Sequence, residues 1–283
     1  MDGTQRQSVG RRGFVMTGLI SGLTLATTRV DAQVIHTDTA GLEAGETRIP
    51  VNDGALPGYY ARPAGTGRFP TVLVIEEIFG VHEYIRDVCR RLAKLGYLAV
   101  APELYARIAD LSKMSDIRTI ISDVILKAPD AQVLADLDAA AAWAAAHGGD
   151  PARLAVTGFC RGGRDVWLYA AHNPHLRAAV AWYGPIAGPT SAIQPRTAGD
   201  VATELQCPLL GLYAGKDASI NIPDVEAAAA RARAAGKDVR IVVYPDAPHG
   251  FHADYRPSYR AADAADGWRR MLAFFRAHDM ASG

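Results

Sequence analysis

Short apolar runs alternate with amphipathic segments along most of the chain. Residues 71–75 form a continuous run dominated by β-branched and aliphatic side chains, which predicts a strand buried on both faces. Segments whose apolar residues recur every three or four positions predict helices. The predicted strands cover residues 71–75, 98–101, 154–157, 178–183, 209–213 and 239–244, after an opening hairpin at 48–51 and 56–61. The predicted helices cover about residues 88–96, 109–127, 131–147, 163–172, 224–235 and 266–278, with a break at 128–130.

This alternation determines the predicted fold class. Strands that alternate with helices indicate crossover connections, which make neighbouring strands parallel and place helices on both faces of the sheet. We therefore predict an α/β fold with a mostly parallel central sheet of about eight strands. Residues 185–204, rich in Pro, Gly, Thr and Ala, are predicted to be a long surface excursion rather than a domain boundary. Residues 33–283 are thus predicted to form one domain.

The first 32 residues have the order of segments found in an export signal. Arg11 and Arg12 precede a mildly apolar stretch, which ends in small residues at Ala32. Twin arginines before a weakly hydrophobic stretch are typical of a twin-arginine (Tat) signal peptide. We therefore expect residues 1–32 to be recognised by the Tat export machinery and removed, leaving a periplasmic protein. The alternatives are a disordered basic N-terminus and an uncleaved anchor.

Composition excludes several classes of protein. The chain has 30 Lys and Arg against 30 Asp and Glu, and this neutrality argues against a nucleic-acid partner. No apolar run is long enough to predict a stable transmembrane span. Cys89, Cys160 and Cys207 are too few and too scattered for a disulfide scaffold or a zinc site. No metal-binding or nucleotide-binding motif stands in a supporting context, so neither a metal nor a cofactor is expected.

One cysteine stands in a motif that carries chemistry. The strand predicted at 154–157 runs into Gly158-Phe159-Cys160-Arg161-Gly162, and a predicted helix follows. This is the G-x-nucleophile-x-G elbow, with cysteine where serine is usual. The turn lifts the sulfur above the sheet and places it near a helix N-terminus, whose partial positive charge favours thiolate. A buried structural cysteine is the alternative interpretation, but the flanking strand and helix argue against it.

Two more polar residues follow later strands. Asp217 comes after the strand predicted at 209–213, and His249 comes after the strand predicted at 239–244. The chain order nucleophile, acid, base is that of the α/β-hydrolase fold. Asp217 would orient the imidazole ring, and His249 would transfer the proton. Asp246 is a rival acid, but it lies too close in sequence to His249.

In combination these motifs make the chain resemble the dienelactone hydrolase (carboxymethylenebutenolidase) family over roughly residues 45–280. The residues that carry the resemblance form five motifs: Glu77-Ile78-Phe79-Gly80, residues 102–107 (PELYAR), residues 158–163 (GFCRGG), Gly215-Lys216-Asp217 and His249-Gly250-Phe251. The resemblance implies an α/β-hydrolase that cleaves a small-molecule ester or lactone.

The resemblance also assigns roles to individual residues. It implies that Cys160 is the nucleophile, His249 the base and Asp217 the orienting acid. Glu77 matches the family carboxylate that contacts the thiol and helps to generate thiolate when substrate arrives. The backbone N–H groups of Ile78 and Arg161 would form the oxyanion hole. Arg107 matches an arginine that binds the substrate carboxylate, a task that suits a bidentate guanidinium.

The chain departs from the family pattern at one position. Well-known members carry a second substrate-binding arginine four residues after the catalytic histidine, where this chain has Ala253. Arg256, three residues further on, is either a replacement or a surface charge. Strict specificity for a dienelactone carboxylate is therefore open, and a broad-specificity esterase is the alternative. A thiol redox protein and a catalytically silent binding protein are more distant alternatives.

Other polar residues near these motifs receive structural interpretations. Glu76 should point away from Glu77, because successive side chains of an extended segment alternate in direction. His82 and His252 have no metal-ligand partners at suitable spacing and are expected at the surface or behind the residues that react.

Overall fold

The computed structural model describes residues 34–281, so the predicted signal peptide at residues 1–32 lies outside the described residues. One eight-stranded sheet organises this part of the chain. The strands are β1 (Leu42–Val51), β2 (Gly54–Pro63), β3 (Phe69–Ile75), β4 (Leu98–Pro102), β5 (Gly149–Phe159), β6 (Leu176–Trp182), β7 (Leu209–Ala214) and β8 (Val239–Tyr244). Their order across the sheet is β1-β2-β4-β3-β5-β6-β7-β8. The pairs β1/β2 and β2/β4 are antiparallel and the others parallel, as expected for crossover connections.

Five helices connect and cover these strands. They are α1 (Glu83–Lys94), α2 (Asp130–Ala146), α3 (Arg161–His172), α4 (Ile222–Ala234) and α5 (Ala261–Ala277). The predicted α/β fold with a mostly parallel sheet of about eight strands is therefore confirmed. Because helices cover both faces, the central strands are largely apolar, and every residue from 209 to 214 is buried.

The segment predicted as a helix at 109–127 is different in the structure. It consists of short turns: 3₁₀ turns at Leu111–Lys113 and Ile125–Lys127, one α-turn at Ile117–Thr119 and a π-turn at Ile120–Val124. This changing pitch buries Ile117, Ile120, Val124 and Ile125 together, which a regular helix would not require. Packing has therefore overridden the helical spacing of the apolar residues.

The excursion at 185–204 contains no helix or strand, as predicted, but it is not wholly superficial. Ala198, Val201 and Ala202 are buried in the core. Gln194 is also buried, and its amide donates to the backbone oxygens of Ile125 and Ala128. The excursion is therefore fixed to the irregular segment that precedes α2.

Within residues 34–281, no helix combines the length and the hydropathy that crossing a bilayer would require.

Candidate active site

Cys160 occupies a strained turn between β5 and α3. Its backbone has φ 55° and ψ −118°, in a region that residues with side chains rarely adopt. The Cys160 N–H donates to the Trp182 oxygen of β6 at 3.0 Å, which holds the turn in place. Strain of this kind costs about 1–3 kcal/mol and concentrates at functional sites. The structure thus forms the elbow that the glycine pattern predicts.

The glycines of the elbow are required because backbones meet there. A Cβ on Gly158 would lie 2.5 Å from the Gly162 oxygen, and one on Gly162 would lie 2.4 Å from the Glu76 oxygen. Neither position can accept a side chain without moving the main chain. These contacts place the N-terminus of α3 directly against the segment that follows β3.

His249 and Asp217 meet beyond the ends of β8 and β7. His249 Nδ1 lies 2.5 Å from Asp217 Oδ2, and because a carboxylate can only accept, Nδ1 carries the proton. Asp217 Oδ1 accepts from the backbone N–H and the hydroxyl of Ser219, at 2.8 and 2.6 Å. The rival acid Asp246 instead pairs with Lys216 at the surface. Asp217 is therefore the acid that orients the ring.

The pKa values of this pair favour the charged forms of both groups. Burial lowers the pKa of His249, but Asp217 and then Cys160 outweigh it and bring the pKa well above its ordinary value. Burial raises the pKa of Asp217, but His249 and Ser219 hold that pKa below its ordinary value. Asp217 therefore stabilises imidazolium, the form that can return a proton to a leaving group.

Glu77 forms a buried ion pair with Arg256. Arg256 Nη2 donates to Glu77 Oε2 at 3.0 Å, and both side chains are almost completely buried. Arg256 is thus not a surface charge, and its guanidinium also lies over the Phe79 ring, 4.9 Å from the centroid. Burial raises the pKa of Glu77, but Arg256, then His82 and Tyr255, bring the pKa down to about 2.

Tyr255 and His82 complete this arrangement, and sequence reasoning assigned no role to Tyr255. The Tyr255 hydroxyl donates to Glu77 Oε2 at 2.9 Å and accepts from Arg256 Nε at 2.8 Å. His82 Nε2 lies 3.6 Å from the same carboxylate oxygen and is partly exposed. One oxygen of Glu77 is therefore anchored on several sides, whereas Oε1 has no partner among the described residues.

Two backbone N–H groups belong to the segments that meet at the Cys160 turn. Ile78 follows Glu77, and Arg161 is the first residue of α3. Within residues 34–281, neither N–H donates to a main-chain acceptor in a turn or loop. An unpaired N–H at a helix N-terminus is suited to bind developing negative charge.

Arg107, the residue predicted to bind a substrate carboxylate, pairs with two carboxylates of the protein itself. Arg107 makes two hydrogen bonds with Asp53, both at 2.7 Å, and two with Asp136, at 2.6 and 3.0 Å. Two carboxylates thus already occupy the guanidinium, and neither contacts the His249–Asp217 pair. Arg256 forms the ion pair with Glu77 and is therefore the arginine that lies in this site.

Several buried polar atoms around Cys160 lack hydrogen-bond partners among residues 34–281. They are Glu77 Oε1, His249 Nε2, Arg256 Nη1 and the Tyr183 hydroxyl oxygen. Tyr183, at φ 38°, packs its ring edge-on against that of His249, with centroids 5.1 Å apart. Buried polar groups are normally paired, so this concentration makes the surroundings of Cys160 the candidate site.

The site is distinct from three clefts elsewhere on the surface. Their volumes are about 490, 670 and 590 Å³, and none of them is lined by Cys160, Asp217 or His249. Cys160 itself is only 4% exposed.

One group within residues 34–281 has the spacing of metal ligands. His36, Glu83 and Asp87 offer ligand atoms within 4.8 Å of one another. Arg90 Nη2 donates to Glu83 at 2.5 Å and to Asp87 at 3.1 Å, so a guanidinium already balances these carboxylates. None of these three residues belongs to the site around Cys160.

Comparison with known proteins shows the family of this chain. The model of the dienelactone hydrolase family matches residues 56–279. The chain belongs to the dienelactone hydrolase family. A protein of Methylorubrum extorquens named "putative carboxymethylenebutenolidase" is 55% identical, over 97% of this chain and 95% of the relative. An Escherichia coli K12 protein of the same name is 52% identical, over 90% of this chain and 95% of the relative.

Solved structures of the dienelactone hydrolase family share the fold. A crystal structure titled "putative dienelactone hydrolase" from Klebsiella pneumoniae superposes with a TM-score of 0.81 and 56% identity, covering 83% of this chain and 98% of that one. A dienelactone hydrolase-like promiscuous phosphotriesterase from metagenomic libraries has a TM-score of 0.69 at 23% identity, covering 84% and 99%, and shows the fold alone. The names of the close relatives and the family make this chain a hydrolase.

Proposed function

We propose that this dienelactone hydrolase family member cleaves a lactone or carboxylic ester through an acyl-enzyme on Cys160. The observation that carries the proposal is the strained cysteine at the N-terminus of α3, next to a buried histidine whose Nδ1 donates to Asp217 at 2.5 Å. A nucleophile, a base and an orienting acid are together the minimum for covalent acyl transfer.

The first half-reaction forms a thioester. The Cys160 thiolate attacks the carbonyl carbon, and the N–H groups of Ile78 and Arg161 stabilise the developing oxyanion. The carbon–oxygen bond to the leaving group then breaks, and His249 Nε2 transfers a proton to the leaving oxygen. In a lactone the leaving oxygen stays attached to the acyl chain, so the ring opens.

The second half-reaction hydrolyses the thioester. His249 Nε2 accepts a proton from a water molecule as the water oxygen attacks the carbonyl carbon. The carbon–sulfur bond breaks, the Cys160 thiolate leaves, and the product is a carboxylic acid that ionises in water. Asp217 stabilises the imidazolium in both halves.

Glu77 and Arg256 make the activation of the Cys160 thiol depend on the charge of the substrate. With its pKa held at about 2, the Glu77 carboxylate is a weak base toward a thiol. A carboxylate on the substrate would compete for Arg256, whose Nη1 has no partner among the described residues. When Arg256 turns to the substrate, the pKa of Glu77 rises, and the free Oε1 can take the thiol proton. Glu77 returns this proton to the Cys160 thiolate when the product leaves and Arg256 pairs with Glu77 again.

A small lactone that bears a carboxylate is the substrate class that fits best, in line with the name carboxymethylenebutenolidase of the close relatives. A broad-specificity esterase is the second candidate. It is favoured by the pairing of Arg107 with Asp53 and Asp136, which leaves a single arginine for recognition.

We test the acyl-enzyme by burst kinetics with p-nitrophenyl acetate. A comparison of cis- and trans-dienelactone with neutral aryl esters then tests the substrate class. Cys160→Ala should remove the burst and nearly all turnover, and Cys160→Ser should also be poor, because a hydroxyl has a far higher pKa than a thiol. Cys89→Ala, at a fully buried cysteine of α1, is the matched control and should keep the burst. Wild-type turnover in Cys160→Ala would exclude the nucleophile.

A further inference from the structure

A second carboxyl group stands next to Glu77 in the chain. Glu76 follows the last residue of β3, and the hydrogen-bond partner of its side chain differs from those of Glu77. Glu76 is completely buried. Glu76 and Glu77 belong to the loop of residues 76–82, here named the β3–α1 loop, which also carries Ile78 and His82.

Glu76 ties this loop to the chain that leaves β4. Its Oε1 accepts from the Leu104 N–H at 2.8 Å, whereas its Oε2 is buried with no hydrogen-bond partner among the described residues. A Cβ built on Gly80 would lie 3.8 Å from Glu76 Oε2 and 3.1 Å from Glu103 Oε2. Oxygens of both carboxyl groups therefore lie against the same side of Gly80, one from each loop.

Two charged carboxylates in this position would repel each other. Burial, followed by the negative charge of Glu103, raises the pKa of Glu76 well above its ordinary value. Burial also raises the pKa of Glu103, with Val81 and Arg86 acting in the opposite direction. A protonated Glu76 removes the repulsion, because its O–H can donate to the Glu103 carboxylate.

Within residues 34–281, Glu76 has no ion-pair partner. Asp165 of α3 adds to the negative charge around Glu76, although Arg161 and Arg164 of the same helix pair with Asp165 at 3.4 and 2.9 Å. Arg86 of α1 and Glu46 of β1 act on Glu103, and they pair with each other at 2.8 Å. A shared proton is therefore the arrangement that satisfies the unpartnered Oε2 of Glu76.

We propose that Glu76 is a positioning residue that carries a proton and donates it in a hydrogen bond to Glu103, so that the two side chains fasten the β3–α1 loop. This inference rests on the proposed function, because that loop holds Glu77 and the N–H of Ile78. The proton bound to Glu76 takes no part in the reaction. Its loss at alkaline pH places two carboxylates side by side and displaces the loop.

The direction of the pH effect follows from the raised pKa. The folded protein keeps a proton on Glu76 at pH values where the unfolded chain has already lost it. The stability that this proton contributes is therefore complete below the ordinary carboxyl pKa and declines as pH rises toward the raised pKa of the folded state. Glu76→Gln keeps the shape and a donor toward Glu103 but cannot ionise, so this decline should disappear.

The experiment measures Tm and corrected p-nitrophenyl acetate turnover from pH 5 to 10 for the wild type, Glu76→Gln and Glu103→Gln. Glu204→Gln, at an exposed partner of Arg196, is the matched control. We expect both loop variants to stay within a few-fold of wild type at neutral pH and to lose less Tm and activity at alkaline pH. At pH values above the pKa of Glu76, the ratio of variant to wild-type activity should increase by up to tenfold per pH unit, which is the limit for the loss of one proton. Glu204→Gln should follow the wild type.

The infrared spectrum detects the proton directly. The carbonyl stretch of a buried protonated carboxylic acid should be present in the wild type at neutral pH and absent in Glu76→Gln. An unchanged spectrum, or identical pH profiles of Tm in wild type and Glu76→Gln, would overturn the shared proton. If Glu76→Gln does not fold, the pH profile of Glu103→Gln and the carbonyl stretch of the wild type test the shared proton instead. If the wild type shows no Cys160-dependent turnover, the proposed function is refuted. The pH profile of Tm and the infrared spectrum would still test whether Glu76 and Glu103 share a proton.

Discussion

Replacing Arg256 by methionine tests how the enzyme recognises a charged substrate. Methionine keeps much of the length of the side chain and its apolar contact with Phe79, but it removes the guanidinium that donates to Glu77 at 3.0 Å. If Arg256 binds the substrate carboxylate, the loss of a charge-assisted contact should cost about 1.5–3 kcal/mol of transition-state binding. That energy corresponds to roughly ten- to a hundredfold in kcat/KM.

The comparison that matters is between substrates. Arg256→Met should depress kcat/KM for an anionic dienelactone by this factor relative to a neutral aryl ester, measured with the same enzyme preparation. Arg107→Met is the matched control, because Arg107 pairs with Asp53 and Asp136 instead. It should change both substrates by a similar and small factor. A selective loss for the anionic substrate in Arg107→Met, with an equal loss for both substrates in Arg256→Met, would refute this reasoning.

The same variant has a defined effect on stability. Removal of one partner of a buried ion pair costs about 3–5 kcal/mol when the other stays charged. Because Arg256 holds the pKa of Glu77 at about 2, below the ordinary 4.5, this contribution is complete above pH 4.5 and declines as pH falls toward 2. The difference in Tm between wild type and Arg256→Met should therefore be largest at neutral pH and shrink in acid. If Arg256→Met does not fold, Arg256→Lys provides the kinetic comparison.

Three further results are expected. Asp217→Asn should lower kcat by on the order of 10³–10⁴ and move the alkaline limit of activity to lower pH, because the His249 imidazolium loses the carboxylate that raises its pKa; an unchanged pH profile would argue against this pairing. Gly162→Ala should lower Tm by several degrees, because the new Cβ would lie 2.4 Å from a backbone oxygen, whereas Gly45→Ala meets nothing within 4 Å and should not. We also propose that the chain is exported, so that replacing Arg11 and Arg12 by lysine should retain it in the cytoplasm, as cell fractionation would show; N-terminal sequencing that finds Met1 on the active wild-type protein would contradict the proposal.

The elements that fix the site could be predicted from sequence because their signals are local. The apolar runs of the central strands and the glycines around Cys160 reflect burial and backbone contact at those positions. The places of Asp217 and His249 follow because parallel strands end at the same edge of the sheet. The helix predicted at 109–127 was right only in part: residues 117–127 form consecutive helical turns, but their pitch changes from α to π to 3₁₀, because apolar residues at helical spacing also suit a chain that changes pitch to bury them.

What could not be predicted depends on contacts between distant segments. Sequence spacing placed Glu76 and Glu77 on opposite sides, but it gave no sign that Glu76 meets Glu103 or that Glu77 meets Tyr255. Arg107 matched a motif, yet its partners come from the β1–β2 turn and from α2. Arg256 was left between two interpretations because the path of residues 250–260, which form no helix or strand, sets its direction.

The position of Arg256 has a consequence for how enzymes of this kind diversify. Cys160, Asp217 and His249 stand at the ends of strands in a rigid sheet, where a shift of one residue would separate them. Arg256 stands on an irregular loop, seven residues after His249 rather than four, and still reaches Glu77. A recognition charge can therefore change its position along this loop while the chemistry stays intact, provided that it still reaches Glu77. Mutations in the loop can then change the substrate range without moving the residues at the strand ends.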